Sequence, residues 1–292
     1  MEFSTHQSEN ASWLNQLKQV RALKLQLKKG YPIGDIISKI GGQTILSYSH
    51  SAETFDAIAT DYELMMNYML TGMADPSRAE LYAQLVLRTY KLLGNIEMGL
   101  RLQHDADALS LFGGGVKPLD VRDIREKLEA YVSEMALLSL DSQEQQDVTS
   151  RDIASRHQQF LSETFINIVG SAQWSHELAS DMLALILSPT IDSIDAQLLI
   201  SAIMMGALFV ADVEKVLTLM CIYKQAQSEK LRQRALVGWA FCLDKDALIS
   251  LQPIDNKLTD LLLRQQVRDD LLELQMQIVY CQNAERDEER IR

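Results

Sequence analysis

Residues 194–243 read IDAQLLISAIMMGALFVADVEKVLTLMCIYKQAQSEKLRQRALVGWAFCL. Three apolar-periodic segments stand in this run: Ala196–Phe209, Val213–Tyr223 and Ser228–Leu243. Ala211-Asp212 and Gln227-Ser228 punctuate them. Apolar residues recur at spacings of three and four, the period of a helix with a buried face. Strict alternation and β-branched clusters, the marks of strands, are rare here and throughout the chain. Connections this short make neighbouring helices pack antiparallel.

The same reading extends outward. Toward the N-terminus, a helix is expected from Ser12 to Lys29, stopped by Gly30 and Pro32. Trp13, Leu17, Val20, Leu23 and Leu27 fall on one arc, and Lys18, Arg21, Lys24, Lys28 and Lys29 gather on an adjoining one. Helices follow at Gly34–Ile40 and Ala52–Leu70. Asp75-Pro76 opens another over Ser77–Leu93, since proline suits a first turn where its missing N–H costs nothing. Gly94-Asn95 predicts a break before a helix ending near Leu111. Phe112-Gly113-Gly114-Gly115-Val116-Lys117-Pro118 predicts a loop or domain junction, because three successive glycines are costly in a helix. It lacks the Lys-Ser/Thr pair of a phosphate-binding loop, so a flexible link is the expectation. Beyond it, helices are expected at Leu119–Leu140, 149–169, 174–187 and 257–283, with Asp141–Asp147 either a loop or a solvated helix start. The chain thus divides into an N-terminal helical region (1–111), a Gly-rich junction (112–118) and a helical array (119–292).

Ser228–Leu243 resembles the second helix of a HEAT or armadillo repeat: Leu231-Arg232 is followed by the small residues Ala235, Gly238 and Ala240, which would face a tight helix contact. The resemblance covers residues 194–243. Ser77–Leu111 looks faintly like a tetratricopeptide (TPR) repeat, although its aromatic, small and proline positions do not line up. The implied fold is all-α: an α-solenoid of antiparallel helix pairs in a right-handed superhelix. A solenoid presents a long concave face that binds extended peptides or other proteins. The last helix stays amphipathic through Leu271, Leu274 and Ile278, then runs into Asn283–Arg292 without a capping signal. The expectation is that the chain is the front part of a longer solenoid.

Composition narrows the function. The 292 residues carry 28 Lys+Arg against 40 Asp+Glu, a net charge of −12. Such a chain repels phosphate backbones, so nucleic-acid binding is not expected. The one basic cluster, in residues 12–29, is the only candidate membrane contact, by lying on an anionic surface or docking in a groove. The plainer reading packs its apolar arc on the next helix and leaves its lysines in water. The most apolar stretch, Leu198–Ala211, falls short of the roughly 20 residues needed to span a bilayer and reads as a fully buried core helix. No secretory h-region is visible at the start. Cys221, Cys242 and Cys281 form no CxxC spacing, and the first two lie in apolar runs, which fits buried, reduced thiols in the cytoplasm.

Catalytic motifs are sparse. His104-Asp105 matches the dipeptide of HD-type metal-dependent phosphohydrolases, with His50 as an upstream ligand and Asp120 or Asp123 downstream. Imidazoles and carboxylates from separate helices can share a divalent ion that activates water. That family usually carries further histidines, and this chain has five in all. His176-Glu177 begins a zinc-protease motif, but Ser180 stands where the second histidine belongs. No GxSxG turn occurs. The expectation is a non-catalytic protein-interaction scaffold without cofactor or metal, with the HD phosphohydrolase as the alternative. Met65, Met66, Met69, Met73, Met204 and Met205 could line an adaptable groove; their helical spacing favours core filling. Trp174 and Trp239 are expected in the core.

Overall fold

A computed structural model describes residues 2–42, 51–72, 75–138, 143–243 and 252–291. Every regular element among them is a helix: α1 Glu2–Lys28, α2 Ile33–Gly41, α3 Ser51–Leu70, α4 Arg78–His104, α5 Ala106–Leu111, α6 Val121–Leu138, α7 Gln143–Gly170, α8 His176–Ile186, α9 Ser193–Phe209, α10 Val213–Gln225, α11 Glu229–Cys242, α12 Gln252–Leu262 and α13 Gln265–Ile291. Local chemistry sets many of the ends. Asp105, Ser175, Asp192 and Asp212 each accept backbone N–H bonds in the first turn of the helix that follows, satisfying donors that have no partner within the helix. Gly30, at φ 73°, ends α1.

The arc expected on α1 is buried at Leu17, Val20, Leu23 and Leu27, and packs on α4. Lys24 departs from expectation. It is buried, not solvated: its ammonium lies 2.9 Å from Glu97 on α4 and 5.0 Å from the centre of the Tyr90 ring. In the second half, α6 packs on α8, α7 on α9, α8 on α10, α9 on α11 and α10 on α12, besides contacts between chain neighbours. Ala235 and Gly238 sit in this packing as expected; a Cβ on Gly238 would stand 3.2 Å from Leu219 on α10. Trp174 and Trp239 are both core residues.

Several boundaries depart from or refine the sequence reading; α1 begins at Glu2 rather than near Ser12, and the helix expected to end near Leu111 is divided at Asp105 into α4 and α5. Gly94-Asn95 does not break α4. Instead the missing side chain lets Gln173 lie against the helix: a Cβ there would stand 2.6 Å from the Gln173 carboxamide carbon. Asn95 then accepts the Gln173 N–H at 2.8 Å. The expected 257–283 helix is split at Leu263-Arg264 into α12 and α13. Finally, α7 begins at Gln143, so the later part of the polar stretch is a helix start. The Gly-rich segment forms a loop tethered at several points. Phe112 packs on Phe209 with ring centres 5.6 Å apart, and the Lys117 N–H donates to Asn167 at 2.9 Å.

A seam of polar contacts joins α4 to the second half. Lys91 bonds the Trp174 carbonyl at 3.0 Å and Glu214 at 3.1 Å. Arg101 stacks over Phe209 at 3.7 Å and bonds its carbonyl. Behind them, Asp212 is fully buried and accepts the N–H groups of Trp174 (2.9 Å), Glu214 (2.9 Å) and Lys215 (3.3 Å). Lys215, also buried, stands 3.8 Å from it. Burial raises the Asp212 carboxyl and lowers the Lys215 ammonium, while their mutual attraction pulls each back. These charges are held inside the core by backbone donors and one another.

Candidate functional site

The residues proposed for metal chemistry are occupied with other work. Asp105 caps α5 through the Asp107 and Ala108 N–H groups and pairs with Arg101 at 3.2 Å. Asp120 accepts from Arg122 and Asp123 at the start of α6, and Asp123 pairs with Lys127 at 2.7 Å. His104 stacks on Trp13, ring centres 6.0 Å apart. His50 lies outside the described residues. Among the described residues, no group of three or more His, Cys, Asp or Glu side chains is placed to hold a metal ion. His176 stands 3.4 Å from Glu214.

Of the five basic residues between 12 and 29, Arg21 and Lys24 both contact the Glu97 carboxylate, at 2.8 and 2.9 Å. The cluster is therefore partly neutralised from within the fold. No helix among the described residues is long and apolar enough to cross a membrane. The apolar helix α9 is not fully buried: Ile194, Met205 and Leu208 are exposed. Cys242 is buried, its thiol pushed up to about 12 by burial; Cys221 is half-buried and Cys281 exposed, and all three are free.

Several methionines depart from expectation. Of those named above, Met65 and Met204 are half-buried and pack against the core as expected, Met66 is half-buried, Met69 and Met205 are exposed, and Met73 lies outside the described residues. Met65, Met66 and Met69, with Tyr62, form one wall of an open groove of about 610 Å³. Pro32 and Ile33 at the start of α2 and Asp75, Pro76, Arg78, Ala79 and Tyr82 around the start of α4 supply the rest, so the lining carries one acid and one base. The groove is built by close fits. The Tyr82 hydroxyl accepts the Ile33 N–H at 3.2 Å, tying α2 to α4. Gly34 has no Cβ because the Tyr62 hydroxyl occupies that space. Arg88 pairs with Asp61, holding α3 to α4.

Apolar surface continues past the groove. The α3 run Leu64-Met65-Met66-Asn67-Tyr68-Met69-Leu70 has one polar residue and turns apolar side chains in every direction. Leu64 is 51% exposed, Met69 50% and Leu70 80%. A single exposed leucine is ordinary, whereas a contiguous apolar patch beside a concavity is the signature of an interaction site. Thioethers are flexible and polarisable, so three of them make a surface that adapts to its occupant.

A second feature escaped the sequence reading. His157 on α7 places Nε2 3.0 Å from the Asp195 carboxylate on α9, and its ring lies flat on Tyr131 of α6, centres 3.5 Å apart. Burial raises the Asp195 carboxyl, and the bond from His157 works against that rise. Both partners are buried, and the residues surrounding the Tyr131–His157 stack include the charged side chains Lys127, Glu134 and Arg156. The only sequence sign of the groove was the apolar run of α3, which exceeds what one packed helix face can bury. His157 and Asp195 had none, because neither sits in a motif. No protein-family model, curated protein or solved structure matches the chain.

Proposed function

We propose that this protein is a non-catalytic protein–protein interaction scaffold. The observation that carries the reading is the exposed apolar run Leu64–Leu70 beside the groove between α2, α3 and α4. Water-exposed leucine and methionine at this density cost solubility unless a partner covers them. Within the same proposal, α6 to α13 form a HEAT-like solenoid. Support comes from the regular packing of each helix on the one two places later, the arrangement that stacks repeats in layers. The cytoplasmic location belongs to the proposal too and rests on the three unpatterned cysteines. The acidic charge argues for protein partners over nucleic acid.

The test is site-specific photo-crosslinking in the cell that makes the protein. A benzophenone amino acid at Met66 is expected to give a discrete protein adduct, and one at the exposed Asp181 on α8 none. Absence of an adduct at Met66, or equal adducts at both sites, would overturn the scaffold reading for this surface.

A further inference from the structure

We infer that α13 pairs antiparallel with α13 of a second copy of this chain, a contact separate from the α3 groove. The helix has two apolar faces. On the inner one, Val267 is buried, and Leu271 and Leu274 pack against the core. Asp270 on the same side accepts the Tyr223 hydroxyl at 2.6 Å and stands 3.7 Å from Arg232. Groups on α10 and α11 thus fix which way α13 faces. Successive helical residues turn by about 100°, which sets Leu272, Met276 and Val279 on the opposite side. They are 58%, 54% and 46% exposed. The same spacing of four and three extends to Asp269 at one end and to Asn283 and Arg286 at the other, all exposed. This is the repeat of a helix-pairing seam. From Asp269 to Arg286 it runs about 26 Å at 1.5 Å per residue.

The seam is complementary to itself in one direction. A twofold interface sets residue i of one copy on j of the other, and j on i. With the axis midway between Met276 and Val279, Met276 of each copy faces Val279 of the other. Leu272 then faces Asn283, and Asp269 faces Arg286. The apolar centre is closed at both ends by an Asp–Arg pair. Parallel pairing would match Asn283 with itself, but it would set Asp269 on Asp269 and Arg286 on Arg286. Like charges in register oppose that arrangement, so the charges select the antiparallel one.

The experiment is sedimentation equilibrium of the full chain near 0.15 M salt, where the net charge of −12 on each copy is screened beyond about 8 Å. A single helix pair is a small interface, so a reversible dimer is expected at about 100 μM. Asp269→Arg and Arg286→Asp each turn two attractions into two repulsions and are expected to weaken it about 10-fold. The double variant Asp269→Arg/Arg286→Asp should restore it, with unchanged circular dichroism throughout. Direction is read by oxidation in a Cys281→Ser background. Asp269→Cys chains and Arg286→Cys chains should each stay unlinked alone and form a disulfide-linked dimer when mixed. A monomeric chain would overturn the inference, as would a dimer indifferent to the reversals or not restored in the double variant. So would disulfides formed by either cysteine variant alone, or a dimer lost in Met66→Glu.

Discussion

Lys24 on α1 and Glu97 on α4 meet at 2.9 Å with 8% and 6% of their side chains exposed, across 73 residues of sequence. Arg21 shares the carboxylate but is 53% exposed. A buried carboxylate on one helix thus fixes the neighbour that packs on it. Removing one member strands the other charge in the core, which costs about 3–5 kcal/mol. Glu97→Gln is expected to destabilise by that order in a urea titration. Arg21→Ala is expected to cost no more than about 1 kcal/mol, because its charge stays hydrated.

The same pair predicts an acid limb. Burial alone would raise the Glu97 carboxyl; Lys24 and Arg21 overcome it and hold the group below its ordinary value of 4.5. A carboxyl depressed in the fold contributes stability above its unfolded value and loses it as pH falls through the folded one. Denaturation midpoints should therefore drop below about pH 4.5, and Glu97→Gln should flatten that limb.

His157 and Asp195 separate pairing from stacking. His157→Phe keeps a flat ring on Tyr131 and removes the bond to Asp195. We expect a loss of about 1–3 kcal/mol from the unpartnered buried carboxyl, most of it recovered in His157→Phe/Asp195→Leu. The raised Asp195 carboxyl has the opposite sign to Glu97: its ionisation weakens the fold, so this contribution falls as pH rises above 3.8. The His157→Phe variant should show that loss more steeply than the parent.

Gly206 lies where α9 crosses α7. A Cβ there would stand 3.1 Å from the Ile168 carbonyl and 3.2 Å from the Lys215 ammonium. Alanine gains about 1 kcal/mol of helix propensity. Backbone atoms cannot step aside, and overpacking of this kind costs about 1–3 kcal/mol. Gly206→Ala is thus expected to lower the thermal midpoint despite the better helix former, whereas Leu70→Glu, at an 80% exposed site, should change stability by less than about 0.5 kcal/mol.

Thiol titration reads the core directly. Cys281 is exposed and should react first with Ellman's reagent, followed by the half-buried Cys221. Cys242, buried and with its thiol pushed up to about 12, should react only on unfolding.

The helices and many of their ends were legible because they depend on neighbours in sequence. The stripe Leu17, Val20, Leu23, Leu27, the stop at Gly30 and the Asp192 and Asp212 caps all follow from residues within one or two turns. Gly94 shows where local reading fails. Glycine disfavours a helix, yet α4 continues through it because Gln173, distant in sequence, needs the space of its missing Cβ.

The sequence by itself determined an all-helical chain, its acidic charge and which face of α1 turns inward, since periodicity and charge are properties of short windows and of composition. Only the tertiary structure decided that Lys24 is buried, that His157 meets Asp195, and that Met66 and Met69 line a groove, with Met65 between that groove and the core. The physical reason is that burial depends on which helices arrive from elsewhere. An apolar run such as Leu64–Leu70 records how much surface could be covered; among the described residues, the packing of α2 and α4 on α3 left part of it exposed.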